Sequence, residues 1–266
     1  MKTKNNTMSR RRLRRLVLSV SLSGGAILCL LVSWELLSES GLIDPMFSSS
    51  PTRVVASGWQ LLWDGNLWKH IAASGYIFVA GYLLAVVVGV PAGILLGWFE
   101  KANMAFGGIV AAMYTTPRIA LMPLFIIWFG LGMGSKVTLV FLSALFPIIV
   151  NMQTAMSTLD GDLARVGRAY GASQRQIFWT IALPLSVPFL ITALRLATGR
   201  ALLGVVGAEV FAGAEGLGYL IQYAGATFQT DKVFVCVFII AALGIVMDRS
   251  LLVINRRFDA WRGSAQ

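Results

Sequence analysis

Residues 81–97 read GYLLAVVVGVPAGILLG, a run without one charged side chain. A membrane-crossing strand would alternate lipid-facing apolar with inward-facing polar residues, and this run does not alternate. It is therefore helical. Gly81, Ala85, Gly89, Gly93 and Gly97 recur every fourth position, which puts small side chains on one stripe and lets a neighbouring helix approach closely. Pro91 is expected to kink this helix, as are Pro117, Pro123 and Pro147 in the next two apolar segments.

Working outward, a hydrocarbon core of about 30 Å takes roughly 20 helical residues to cross. Segments near 16–38, 71–98, 105–128, 137–156, 185–208 and 233–254 meet that length. The chain of 266 residues is 57% hydrophobic and 13% charged with mean hydropathy +0.74, outside the range of soluble domains. We expect an all-α polytopic membrane protein with six transmembrane helices. A basic tail is expected over 1–15 and a single membrane domain over 16–266, with a cytoplasmic hairpin at about 157–184.

The net charge of +10 is placed asymmetrically. Lys2, Lys4, Arg10, Arg11, Arg12, Arg14 and Arg15 precede the first span, and Arg249, Arg256, Arg257 and Arg262 close the last. With the N-terminus cytoplasmic, Lys101, Arg165, Arg168 and Arg175 fall on the same side, while Arg53, Lys69, Lys136 and Lys232 fall outside. This is the positive-inside pattern, so the basic tail reads as an orientation signal and not as a nucleic-acid arm. SRRRLRRL, residues 9–16, resembles a twin-arginine export signal but lacks a convincing small-residue cleavage site, and is read as an uncleaved anchor.

His70 is the one histidine, and Cys29 and Cys236 both lie in apolar spans. No metal cluster or Cys/His nucleophile is expected, and the cysteines read as small packing residues. The nearest approach to a phosphate loop, GLGMGSK at 130–136, has Val137 where the hydroxyl residue belongs. Any ATP used must be bound by another polypeptide.

GRAYGASQRQIFWTIALP, residues 167–184, interrupts the apolar pattern. Leu163, Val166 and Tyr170 share one side of a short amphipathic helix, and Gly171 fits its left-handed cap. Ser173 and Gln176 form an S-x-x-Q capping box for a second helix, and Pro184 marks entry into the fifth span. From the pattern alone this hairpin is either a surface loop or a docking element for a soluble partner.

The spacing of Gly171, Ile181 and Leu183-Pro184 resembles the cytoplasmic EAA-type loop of ABC importer permeases. TTPRIALMPLFIIWFGLG at 115–132 and GAEVFAGAEGLGYLI at 207–221 are similar to the nitrate, sulfonate and taurine-type branch of that family. The resemblance covers roughly 70–255. Arg165, Val166 and Gly167 stand where the loop's namesake Glu-Ala-Ala would be.

What the resemblance implies is a type I ABC importer permease fold without catalytic, cofactor or metal residues of its own. ATP and Mg would be bound by cytoplasmic ABC ATPase subunits. An extracytoplasmic solute-binding protein would deliver solute to a permease homodimer in a bacterial inner membrane. Arg168, Tyr170, Gly171, Ala172, Ser173 and Pro184 would form the ATPase-coupling loop, and the segment 207–221 would re-enter between the last two spans.

Charges inside spans are costly and face a bundle interior or water. Arg195, Arg200 and Glu209 of the fifth span are candidates for a translocation path, with Arg118 after Pro117. Arg195 reads as a structural pair, a snorkelling side chain or a solute contact. Arg200 lies about 7 Å deeper, and Glu209 about 21 Å along the axis from Arg195. A cationic path would favour small anions such as sulfonates, taurine or nitrate. An ATP-independent secondary transporter or channel is the alternative, and would need mid-membrane coupling carboxylates that Glu35 and Glu209 do not supply.

Between the first two spans, Val54, Val55, Gly58, Leu61 and Leu62 read as one face of an interfacial helix, with Trp59, Trp63 and Trp68 as interface anchors. Gly213, Gly216 and Gly218 mimic a dinucleotide fingerprint, but no preceding strand or following helix N-terminus is expected there.

Overall fold

The computed structural model describes residues 3–40, 45–64, 66–158 and 161–259. The basic side chains of the tail at 1–15, together with Arg256, Arg257 and Arg262, lie outside the described residues. Twelve α-helices follow in order among those described: α1 Thr3–Glu39, α2 Pro45–Ser48, α3 Pro51–Trp63, α4 Asn66–Trp98, α5 Glu100–Thr115, α6 Met122–Phe129, α7 Met133–Ser157, α8 Gly161–Ala169, α9 Gln174–Ile177, α10 Leu183–Ala212, α11 Leu217–Ala226 and α12 Thr230–Asp259. A 3-10 turn, Arg118–Leu121, precedes α6, and a π turn, Phe178–Ala182, joins α9 to α10.

Five helices are long and apolar enough to cross a membrane, or six spans if α5 and α6 count as one broken span. The expected continuous third span at 105–128 is corrected here, because its two halves meet at 90°. The cause is local. The residue before a proline avoids the helical region, and Thr116 (ψ 132°) and Pro117 (ψ 94°) are both extended. Pro123, expected to kink a helix, instead lies in the first turn of α6, where its missing N–H is an orphan in any case. Pro91 and Pro147 are carried inside unbroken α4 and α7. Pro184 has no N–H to offer the turn behind it, and the wider π turn sits directly before α10.

The centre of the bundle is α4 and α10 packed on either side of α7. Ile77, Ala85, Val140, Ile148, Met152, Ala197 and Ala201 are buried there. The stripe from Gly81 to Gly97 faces α7. A Cβ at Gly93 would stand 2.6 Å from Met152 Cβ and 2.7 Å from the Ile149 carbonyl, and one at Gly81 would stand 2.7 Å from Val140 Cβ. A Cβ at Gly97 would collide with the Gln153 carbonyl and Met156. Ala85, the one member with a methyl, is wholly buried. Lipid tails are as apolar as these side chains, so the seam is held by close dispersion contact and not by water exclusion.

Outside the centre, Glu35 of α1 reaches the start of α3, accepting from Thr52 Oγ1 at 2.6 Å and Thr52 N at 3.1 Å. α3 buries Val54, Ser57 and Leu61. Val55 is 73% exposed, so the expected apolar face is shifted toward the i, i+3, i+7 line. Trp59, Trp63 and Trp68 are exposed.

Candidate functional site

The hairpin is built from its turn outward. α8 ends with Gly171 at φ +80°, a conformation an L side chain adopts only with strain. The Ala172 N–H donates to Gly167 O at 3.0 Å and the Gly171 N–H to Arg168 O at 2.9 Å. These two bonds are a Schellman cap. The next helix starts at once: Gln176 N donates to Ser173 Oγ, and Ser173 N donates to Gln176 Oε1 at 2.8 Å. This capping box supplies partners for backbone donors that the helix itself leaves free. Gly167 lets α8 lie on the second helix, since a Cβ there would meet Ile181 at 3.4 Å and Ile177 at 3.5 Å.

Ile177 is buried, whereas Arg168, Ser173 and Pro184 are exposed and Tyr170 is 88% exposed. Ala172 is half-buried. From Gln174 to Ala212 the chain runs as one helical span of 39 residues. The second helix of the hairpin is therefore continuous with the fifth span.

The three charges expected along a path are in three different situations. Arg195 grips Asp248 of α12, Nε to Oδ1 at 2.7 Å and Nη2 to Oδ2 at 3.1 Å, a two-pronged pair that ties α10 to α12. Glu209 borders a largely apolar cavity of about 220 Å³ between α4, α10, α11 and α12. It is wholly buried, accepting from Ser74 Oγ at 2.7 Å and from Gly218 N at 2.7 Å. Leu217 N donates to Ser74 Oγ at 2.8 Å, and Gly216 N to His70 Nδ1 at 3.0 Å. These three N–H groups are the unpaired donors at the start of α11, so Glu209 caps a helix and locks α4, α10 and α11 together. A helix N-terminus thus does follow Gly216, contrary to expectation, but a protein carboxylate occupies it. Beside it Lys69 Nζ lies 2.6 Å from Glu215 Oε1 and holds that exposed carboxyl below the ordinary carboxylate range.

Arg200 and Arg118 share a cavity of about 480 Å³ between the break after α5, α7 and α10, with Tyr114, Thr115, Thr116 and Ser143 on its walls. The break that disrupts the third span delivers Arg118 to the face of α10. Sequence reasoning missed Ser74 and Asp248 as partners of the span charges, and Ser143 as a wall of the arginine cavity. Asp248 was within reach, as an acid in an apolar span calls for a counter-ion.

Helices packed through glycine against a central span, with a capped hairpin feeding one long helix, define a polytopic helical membrane scaffold. Residues 89–260 match the model of the "Binding-protein-dependent transport system inner membrane component" family, and the chain belongs to that family. It is 32% identical over 252 residues to the taurine transport system permease protein TauC of Escherichia coli, covering 93% of this chain and 92% of that one. It is 31% identical to the putative aliphatic sulfonates transport permease protein SsuC of Bacillus subtilis, covering 87% and 84%, and 30% identical to the formylaminopyrimidine transport permease protein ThiX of Halalkalibacterium halodurans, covering 88% and 93%. The fold is similar to an inward-facing MetNI methionine ABC transporter structure, with TM-score 0.63 and 20% identity over 75% of this chain and 98% of that one.

The protein is thus a multi-pass permease subunit of an ABC importer, a transport component and not an enzyme, with ATP hydrolysis in partner subunits.

Proposed function

We propose that this chain carries a small anionic solute of the sulfonate or taurine type inward, driven by cytoplasmic ATPase subunits that grip the 160–184 hairpin. The observation that carries this reading is the hairpin's construction: a doubly capped turn presenting Arg168 and Tyr170 outward on the end of the 39-residue helical span. Closure of two ATPases around ATP and Mg would push the turn, and the rigid span would pass the motion to the membrane centre. The solute class is supported by relatives named for taurine and aliphatic sulfonates and by the unopposed arginines beside α10. Two copies of the chain form the pathway, an extracytoplasmic binding protein feeds it, and both termini are cytoplasmic, in keeping with the positive-inside bias.

Purification of the tagged chain from its native membrane in mild detergent tests the reading. A stoichiometric ATPase should co-purify with the native chain and be lost with Gly171→Val, whose membrane insertion should be unchanged. Retention of the ATPase and of transport in that variant would sink it.

A further inference from the structure

We infer that the cavity of Arg118 and Arg200 is a binding site for a tetrahedral oxyanion, a sulfonate being the class that the importer reading, on which this rests, supplies. Arg200 points to the ligand first. It lies twelve residues before the end of α10, about 18 Å along the axis, deep in a span where an unpaired cation is costly. Yet among the described residues it has no hydrogen-bond or ion-pair partner, and no acid lines the cavity.

Arg118 is fixed in place. Its Nη2 donates to Tyr114 O at 2.8 Å and Met113 O at 3.1 Å, and its guanidinium lies 5.3 Å from the Phe146 ring centre. Those bonds aim the fork without using it up, since guanidinium has about five donors and the buried Nε has no acceptor. Within this fold the contrast with Arg195 is direct, since that guanidinium has its carboxylate. Thr115, Thr116 and Ser143 already donate to helix carbonyls at 2.7 to 2.9 Å, so their oxygens keep lone pairs. The hydroxyls shape the walls and can accept from an amino group on the solute, while the two guanidiniums take the oxyanion.

The test uses the full-length chain in phosphatidylcholine nanodiscs, with radiolabelled ethanesulfonate as the probe and choline as the cationic control. Arg200 makes no contact that the fold uses, so Arg200→Gln is the informative variant, and Arg200→Lys keeps charge without the fork. We expect saturable ethanesulfonate binding that is roughly ten- to hundred-fold weaker in Arg200→Gln, intermediate in Arg200→Lys, and unchanged in Gly171→Val. A second arm uses nanodiscs containing phosphatidylglycerol. Arg200-dependent retention of that lipid without ethanesulfonate binding supports the oxyanion site with a headgroup as its ligand. Equal binding of both probes by native and Arg200→Gln protein overturns it. Failure of the importer reading registers separately, as absence of a co-purifying ATPase while Arg200-dependent binding persists.

Discussion

Gly171 is the residue on which the hairpin depends. Its φ of +80° costs an L residue about 1–2 kcal/mol, and a β-branched side chain adds crowding. Gly171→Val should therefore misdirect the turn while leaving the spans folded, read as lost ATPase pull-down at unchanged membrane yield. Ser173→Ala removes one half of the capping box and should weaken the second helix by about 1 kcal/mol, seen as faster amide exchange confined to 174–182. Glu215 gives a pH statement with a definite sign. Lys69 depresses its carboxyl, so the tie is fully formed above the ordinary carboxylate range and is lost as pH falls through the lowered value. Lys69→Gln should return the Glu215 titration, followed by the carboxyl carbon shift, upward to its usual position. All three residues stand in the sequence, but only Gly171 and Ser173 announce themselves, because caps are local. Glu209 was legible as a charge in a span, but its partners Ser74 and Gly218 were not, since they come from two other elements.

Between elements, the α4–α7 seam is the largest commitment of the fold. Gly93→Leu or Gly97→Leu would drive a side chain into the backbone of α7. Each should lower the midpoint of thermal unfolding in detergent, with overpacking costing about 1–3 kcal/mol, whereas Gly75→Leu, which meets open space, should not. Comparable midpoints for all three would contradict the packing account. The stripe was readable in sequence because helical periodicity is a local property; its partner helix was not. The third span shows the opposite failure. Hydropathy reads 105–128 as continuous, and only the Thr116–Pro117 step, extended on both sides, turns it by 90°. Proline position within a helix decided each outcome: tolerated at Pro91 and Pro147, a start at Pro123, a break at Pro117.

For the molecule as a whole, the hairpin and the cationic cavity are joined by one element. Gln174–Ala212 carries the capped turn at one end and Arg200 within its outer half, so under the proposed coupling a push on the hairpin would move the arginine relative to Arg118 on the broken third span. The Arg195–Asp248 pair fastens the same helix to α12. Asp248→Asn should loosen that coupling and lower transport without lowering ATPase hydrolysis, and the exchange Arg195→Asp with Asp248→Arg should restore part of it. The membrane class and the hairpin were open to reading from residues alone, because hydropathy and caps act over short distances. The three-helix meeting at Glu209 and the shared cavity were not, because they depend on which spans become neighbours. The central claim is that ATP turnover in a partner drives this chain's conformational cycle through the hairpin. The most direct measurement is uptake of labelled ethanesulfonate into proteoliposomes rebuilt with the co-purifying ATPase and its binding protein. Uptake should require ATP inside the cytoplasmic-face compartment, survive ionophores that collapse ion gradients, and vanish with Gly171→Val. Uptake that persists without nucleotide and collapses with the ion gradient would contradict the account and make the chain a gradient-driven carrier.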